Sequence, residues 1–352
     1  MADTPSGRPW KESFGITESG DPMNARFPDR DTVHAVLSLA TRAPSVHNTQ
    51  PWRWRVGSDS LHLYADRGLH LPSTDPDGRD LILSCGIALN HCVVALAALG
   101  WQSKVHRLPN PKELDHLAAV EVYRRPASEV DITLAAAIPR RRTDRRRYSE
   151  WSVPANYISL MGARAARAGV MLRQIESLPE LQQIVAQAVR RHVTDLDYLT
   201  ELTTWSGRYA SLAGVPARNT PESDPKAPLP PRLFAGPVLP QPPDTEPVDD
   251  NAVVLALGTK DDSMLARLRA GEATSLMLLS ATALGLASCP VTEPLEITQT
   301  RDAVQKQVFG VSGFPQMLLR IGWAPVNADP LPATPRRPLQ DVVEYLDGSA
   351  FR

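Results

Sequence analysis

Cys85-Gly-Ile-Ala-Leu-Asn-His-Cys-Val-Val-Ala-Leu-Ala-Ala-Leu-Gly-Trp101 aligns without gaps with Ala270-Gly-Glu-Ala-Thr-Ser-Leu-Met-Leu-Leu-Ser-Ala-Thr-Ala-Leu-Gly-Leu286, at a constant offset of 185 residues. Gly86 meets Gly271, Ala88 meets Ala273, and Ala98-Leu-Gly100 meets Ala283-Leu-Gly285. The shared register is apolar and both segments close on a glycine. It reads as a duplicated module whose two long helices pack together as a homodimer's would. The competing reading is coincidence between two Ala/Leu-rich helices. Leu81 to Trp101 has no Asp, Glu, Lys or Arg over 21 residues, long enough to span a bilayer. Ser84, Asn90 and His91 interrupt it, Arg79 and Asp80 stand at its entrance, and Thr274 to Val291 is similar. Two such runs in an otherwise polar chain read as buried central helices, with no membrane partner expected.

Between these helices, Ala137-Ile-Pro-Arg-Arg-Arg-Thr-Asp-Arg-Arg-Arg-Tyr148 holds six arginines in the eight residues from Arg140 to Arg147. Like charges three or four apart repel, so a cluster this dense calls for an anion. A guanidinium pairs with two phosphate oxygens at once, which a lysine cannot do. A basic surface loop or a nucleic-acid arm would explain the same run. The whole chain argues against the second: 38 Lys and Arg stand against 39 Asp and Glu in 352 residues, whereas a nucleic-acid binder usually carries a basic balance. A pocket for a small anion fits better, and no nucleic acid is expected.

The length allows two packed units. Cys85, Cys92 and Cys289 are too few and too scattered for a disulfide framework or a zinc site, so no metal is expected and the thiols read as buried. Met1 to Gly15 is polar, without an apolar signal segment, which predicts a cytoplasmic protein.

Periodicity predicts a helix over Thr32–Thr41 with Asp31 as a candidate N-cap, then a polar loop containing Pro44 and Pro51. Strands are expected over 52–56 and 60–65 around the turn Gly57-Ser-Asp59, with another at 117–124. Asp75-Pro-Asp-Gly78 is a turn signal ahead of the first long helix. Beyond the arginines the pattern gives a helix at 155–168, a strand at 170–175, one or two helices over 178–203 and a strand at 253–258. The second long helix covers about 264–286, followed by a strand at 316–323 and a short closing helix at 338–346. Residues 213–247 contain eleven prolines and little periodicity, the composition of a lid or a disordered insert.

Four stretches together resemble the FMN-dependent nitroreductase family, in particular its Acg-type, fused pseudo-dimeric subgroup of actinobacteria. Ala43-Pro-Ser-x-x-Asn-x-Gln-Pro-Trp52 is similar to the signature after the family's first helix. Arg141-Arg-Thr-x-Arg145 resembles its phosphate motif. Gly285-Leu-Ala-Ser-Cys-Pro-Val-Thr-Glu293 resembles the segment facing flavin N5, and Arg336-Arg-Pro-Leu339 its C-terminal basic motif. The resemblance covers about residues 30 to 346.

It implies an α+β fold, a duplicated module of mixed sheets and helices. The expected parts are an N-terminal extension 1–30, a first module 31–136 and a second module 137–352 with a proline-rich lid at 213–247. The implied cofactor is one FMN per chain, and the chain is expected to be a monomer. The first module would contribute Ser45, His47, Asn48 and Gln50. The second would give Arg141, Arg142, Thr143, Arg145, Pro290, Val291, Thr292, Glu293 and Arg336. No side chain is assigned as catalytic, since the chemistry sits at flavin N5. NAD(P)H and a small aromatic acceptor, a nitro compound or quinone, are the implied partners. The family usually has an acidic residue then glycine where this chain has Thr292-Glu293, and a basic residue where it has Thr334. These departures, with the lid, leave a second reading: a flavin storage or sequestration protein with a closed site.

Overall fold

The computed structural model describes residues 26–207, 211–224, 227–242, 250–324 and 327–351. Most of the N-terminal extension lies outside them. In chain order the elements are α1 (Arg30–Ala40), β1 (Trp52–Val56), β2 (Ser60–Ala65), α2 (Arg79–Ala98), β3 (Trp101–Arg107), β4 (His116–Arg124) and α3 (Glu129–Ala137). Then come α4 (Ala155–Arg167), β5 (Met171–Gln174), α5 (Leu178–His192), α6 (Leu196–Trp205), β6 (Val253–Thr259) and α7 (Met264–Ala283). The chain closes with β7 (Ala287–Pro290), α8 (Glu293–Glu296), α9 (Thr298–Val304), β8 (Phe314–Gly322) and β9 (Val343–Tyr345).

The strands form two sheets, ordered β3-β4-β2-β1-β9 and β5-β6-β8-β7. This is the mixed α+β architecture expected from the sequence. In β1 the alternation is visible residue by residue: Trp52, Trp54 and Val56 are buried while Arg53 is exposed. The turn at Gly57 brings β2 back antiparallel. In the second sheet β6 is buried almost throughout, as a run of Val, Leu and Ala demands.

α2 and α7 lie between the sheets. Each is 20 residues long and their ends differ by the same 185 residues as the aligned glycines. Both reverse at a left-handed glycine, Gly100 at φ 84° and Gly285 at φ 81°, a conformation that costs any other residue strain. Where the helices cross, the contact is reciprocal. A Cβ on Gly86 would sit 2.2 Å from the Leu268 carbonyl oxygen, and one on Gly271 would sit 2.2 Å from that of Leu83. The two glycines cost roughly 1 kcal/mol each in helix propensity. They are kept because no side chain fits between the backbones. Each helix feeds a different core. Cys85, Ala88, Leu89 and Cys92 pack toward the first sheet, and Ala273, Met277 and Leu278 toward the second.

Polar ties fix how the halves meet. Arg107 of β3 donates to both oxygens of the buried Glu272 carboxylate on α7, at 2.7 and 2.8 Å. Arg79, in the first turn of α2, donates at 2.9 Å to the Pro315 carbonyl and to Gln316 Oε1. Among the described residues α2 is the one helix long and apolar enough to cross a membrane, and 83% of its most apolar window is buried inside the protein.

Three expectations are corrected. The N-cap of α1 is Asp29, which accepts from the Thr32 N–H at 2.8 Å, and not Asp31. β3 and α3 had no counterpart in the periodicity. The closing helix at 338–346 is instead one 3-10 turn, Leu339–Asp341, followed by β9, which runs parallel to β1 with Trp54 opposite Val343. The open edge of β1 supplies hydrogen bonds that a continued short helix could not match.

Gly271→Ala is expected to destabilise the protein by about 2–3 kcal/mol, because the added methyl meets backbone that cannot rotate away. Urea unfolding measures this. A midpoint equal to that of the unaltered chain would refute the close crossing.

Candidate functional site

The N-terminal half of α2 does more than fill the core. Asp80, Leu83, Ser84 and Ile87, at helical spacing, form one wall of a cavity of about 220 Å³. The other walls come from the loop at 44–48, the arginine stretch, the β7–α8 segment, the proline-rich segment and Thr334 and Arg336. Of the residues expected to form a site, the cavity gathers Ser45, His47, Asn48, Arg141, Thr143, Arg145, Pro290, Val291, Thr292, Glu293 and Arg336. Gln50 and Arg142 stand outside its wall.

The loop is strained and held. His47, Asn48 and Gln50 all have positive φ, at 43°, 54° and 57°, which costs a non-glycine residue free energy unless its surroundings impose it. Side chains impose it here. Ser45 Oγ accepts from the Gln50 N–H at 2.9 Å, and Ser84 Oγ of α2 accepts from the Val46 N–H at 3.1 Å. Asn48 Nδ2 donates to the carbonyls of Gly214 and Pro335 at 3.0 and 3.2 Å. Gln50 is 1% exposed. Its Nε2 donates to the Leu212 carbonyl at 2.9 Å and its Oε1 accepts from the Arg337 N–H at 2.8 Å. The Gln50 amide is thus committed to backbone partners. His47 faces the cavity with neither ring nitrogen hydrogen-bonded, and Asn48 Oδ1 is likewise buried without a partner. Burial, then the charges of Arg232, Arg145 and His192, push His47 well below its usual pKa, so the ring is neutral at pH 7.

The arginines divide. Arg146 pairs with Asp144 at 2.9 Å and Arg147 with Asp224 at 2.8 Å, while Arg140 donates to the Ala136 carbonyl near the surface. Arg141, Arg142, Arg145 and Arg336 make no ion pair among the described residues. Arg142 turns to carbonyls, those of Pro139, Arg141 and Leu331. Arg336 is half-buried and donates to the carbonyls of Arg42, Ala43, Thr334 and Pro335. Burial, then the charges of Arg141, Arg42 and Arg142, brings its pKa down to about 9. Burial and the neighbouring Arg142, Arg42 and Arg145 bring Arg141 down to about 10. The Nε atoms of Arg42, Arg141 and Arg336 are buried with no acceptor. A knot of guanidiniums with no carboxylate partner among the described residues is what a bound anion would neutralise. Arg42 was not singled out from the sequence. Its only signal there is that it directly precedes Ala43-Pro-Ser.

At the other end of the cavity the β7–α8 segment is tied to the proline-rich segment. Thr292 Oγ1 donates to Glu296 Oε1 at 2.7 Å, and His192 Nδ1 lies 3.0 Å from Glu293 Oε1. The His192 ring stacks on Tyr198 at 3.9 Å. Arg232, from the proline-rich segment, closes the network. It donates to Glu296 Oε1 at 2.7 Å, to Thr292 Oγ1 at 2.9 Å and to the Tyr198 hydroxyl at 3.1 Å. The side chains of Thr292 and Glu293 are therefore engaged within this network. Phe234 from the same segment sits 4.7 Å under the Arg145 guanidinium and 6.1 Å from the His47 ring. Leu229 is buried in the core beside Val185 and Leu181, whereas Val238 is 52% exposed. Residues 225–226 and 243–247 of the expected lid lie outside the described residues.

With this geometry in place, the comparisons with known proteins agree. The Nitroreductase family model matches residues 140–323. The chain is 66% identical over 323 residues to "Putative NAD(P)H nitroreductase Rv3131" of Mycobacterium tuberculosis H37Rv, covering 92% of this chain and 94% of the relative. It is 35% identical over 326 residues to the protein of the same organism that carries the same description and the name acg, covering 89% and 95%. A solved nitroreductase with bound FMN from Desulfitobacterium hafniense is similar at 13% identity and a TM-score of 0.39, over 61% of this chain and 98% of that one. Family model and full-length relatives give one answer: the chain belongs to the nitroreductase family.

Proposed function

We propose that the protein binds one FMN and passes electrons from NAD(P)H to a nitro compound or quinone. The observation that carries this reading is the arginine cluster, without an ion-pair partner among the described residues, at one end of a mostly apolar cavity. The residues fit the cofactor. Arg141, Arg145, Arg336 and the additional Arg42 would hold a dianionic phosphate, with Thr143 as hydroxyl partner; the unpaired Nε atoms of Arg42, Arg141 and Arg336 support a partner there. Ser45, His47 and Asn48 would face the ribityl chain and ring edge, and the orphaned Asn48 Oδ1 would accept a hydroxyl. Bound there, flavin supplies hydride transfer at N5. Pro290, Val291, Thr292 and Glu293 line the same cavity and would border that position. Val185, Leu229 and Phe234 keep water from the region. The arginine knot suits a single phosphate and so FMN over FAD.

One chain would hold one site and act as a monomer of two modules, 31–136 and 137–352, with α7 serving as the partner helix in cis. The buried free thiols suit the reducing cytoplasm. A second reading is favoured by one observation, the Arg232–Glu296 clamp. Buried ion pairs are held by the cost of separating them, so this clamp would keep 227–235 closed over the flavin, and the protein would store or sequester it.

Flavin released by heating should be FMN at one per chain; FAD, or two flavins per chain, contradicts the reading. Arg336→Ala should lose a charge-assisted hydrogen bond worth about 1.5–3 kcal/mol, roughly 10- to 100-fold in FMN Kd. Full FMN occupancy after extended dialysis of that variant would remove Arg336 from the site. To separate catalysis from storage, Arg232→Ala is combined with Glu296→Gln, so that no carboxylate is left buried alone. The clamp predicts retained FMN and faster anaerobic bleaching by NADPH than in the unaltered protein. Equal rates would show that the clamp does not gate the site.

A further inference from the structure

One cavity group has no part in the reading above. Asp80, 4% exposed, sits in the first turn of α2 and lines the cavity, and its Oδ2 has no hydrogen-bond partner. It is not the acid that serves the helix N-terminus. That is Asp75, whose Oδ2 accepts from the Leu81 N–H at 2.9 Å. Asp80 also stands at a defined place along the cavity. The α2 stripe Asp80, Ser84, Ile87, His91 spans about 16 Å of helix axis at 1.5 Å per residue. His91 lies at the arginine end, where Arg141, Arg336 and Arg42 act on its ring. Asp80 lies at the end where Glu296 and Arg232 act on it. A flavin anchored by its phosphate at the arginines directs its ring along α2 toward Asp80.

We propose that Asp80 is a catalytic acid, holding a proton on its cavity-facing carboxyl and delivering it to the electron acceptor. This rests on the FMN reading. Reduction of a quinone to the hydroquinone takes a hydride and a proton. The hydride comes from flavin that a reduced nicotinamide has charged. The proton comes from Asp80: its Oδ–H bond breaks as the O–H bond on the acceptor oxygen forms. For a nitro group the same hydride and proton give the nitroso compound and water. Asp80 is left as a carboxylate and takes a proton from solvent after the product departs.

The surroundings hold that proton. Burial, and then the negative charges of Asp75 in the preceding turn and Glu296 on α8, raise the Asp80 carboxyl well above the usual carboxylate range. Arg79 on its own helix and Arg232 from the proline-rich segment oppose them without reversing the shift. Two carboxyls this close do not both ionise readily. The shift favours the protonated form, the form from which general-acid catalysis starts.

The test uses FMN-loaded protein whose flavin is first reduced anaerobically with dithionite and then mixed with benzoquinone in a stopped-flow instrument. Because dithionite replaces the nicotinamide, a failure of NAD(P)H reduction leaves the result readable. Asp80→Asn keeps the shape and loses the acid. It should still carry FMN, while its reoxidation slows by roughly 100-fold and loses the solvent deuterium isotope effect of the unaltered protein. Reoxidation at the unaltered rate would overturn the proposal. A second measurement needs no folded variant: infrared spectra of unaltered holoprotein with carbon-13-labelled aspartate. They should show the C=O stretch of a protonated aspartic acid at neutral pH, and absence of that band would also overturn the proposal.

Discussion

The close crossing of α2 and α7 is the constraint from which the rest follows. At Gly86 and Gly271 two backbones approach so nearly that a methyl group on either would meet a carbonyl oxygen of the other helix at 2.2 Å. Packing of this kind is all-or-none, since a backbone, unlike a side-chain tip, cannot turn aside. It fixes the helices in register, and they in turn fix the two sheets, each of which has its apolar face against one of them. Arg107–Glu272 and the Arg79 bonds to β8 then tie the halves where the glycine contact cannot reach.

The same helix that builds the core also builds the cavity. α2 is buried on nearly every side, yet toward the loop at 44–48 it presents Asp80, Ser84 and Ile87. Ser84 accepts a hydrogen bond from Val46 and so anchors a loop with three residues at positive φ. Strain of this kind persists only where surrounding structure over-determines it. Here the surroundings are drawn from α2, the proline-rich segment at Leu212 and Gly214, and the C-terminal residues Pro335 and Arg337. Three regions distant in sequence converge on six residues. The electrostatics divide along the cavity. One end concentrates positive charge without an ion-pair partner among the described residues, and the other balances Arg232 against Glu296 and Glu293. Such an arrangement orients a molecule with one anionic end before any specific contact forms.

Local physics made a large share of the fold legible. β1 and β2 follow from strict alternation about Gly57, and both agree with the structure to the residue. α2 and the C-terminal half of α7 follow from charge-free runs, and the pairing of the two helices from the 185-residue repeat. The six arginines pointed to an anion because a single acid, Asp144, stands among them and pairs with only one of them, Arg146. Elements whose stability comes from distant partners were not legible. β3 reads as Trp-Gln-Ser-Lys-Val-His-Arg, too polar for its alternation to stand out, and exists because β4 pairs with it along its whole length. β9 exists because β1 has an open edge.

The site divides along the same line. Sequence alone determined which chemistry is present: guanidiniums that can pair with an anion, and amides and a hydroxyl for a polar wall. Tertiary structure decided which of those groups are free to use it. It spent Arg146 and Arg147 on carboxylates, Arg142 on carbonyls and Gln50 on the Arg337 and Leu212 backbone, and it added Arg42 to the cluster and Asp80 to the cavity wall. The reason is that a residue's type fixes what it can bond to, whereas burial and the partners already within reach, which only the folded chain sets, fix whether any of that capacity is left over.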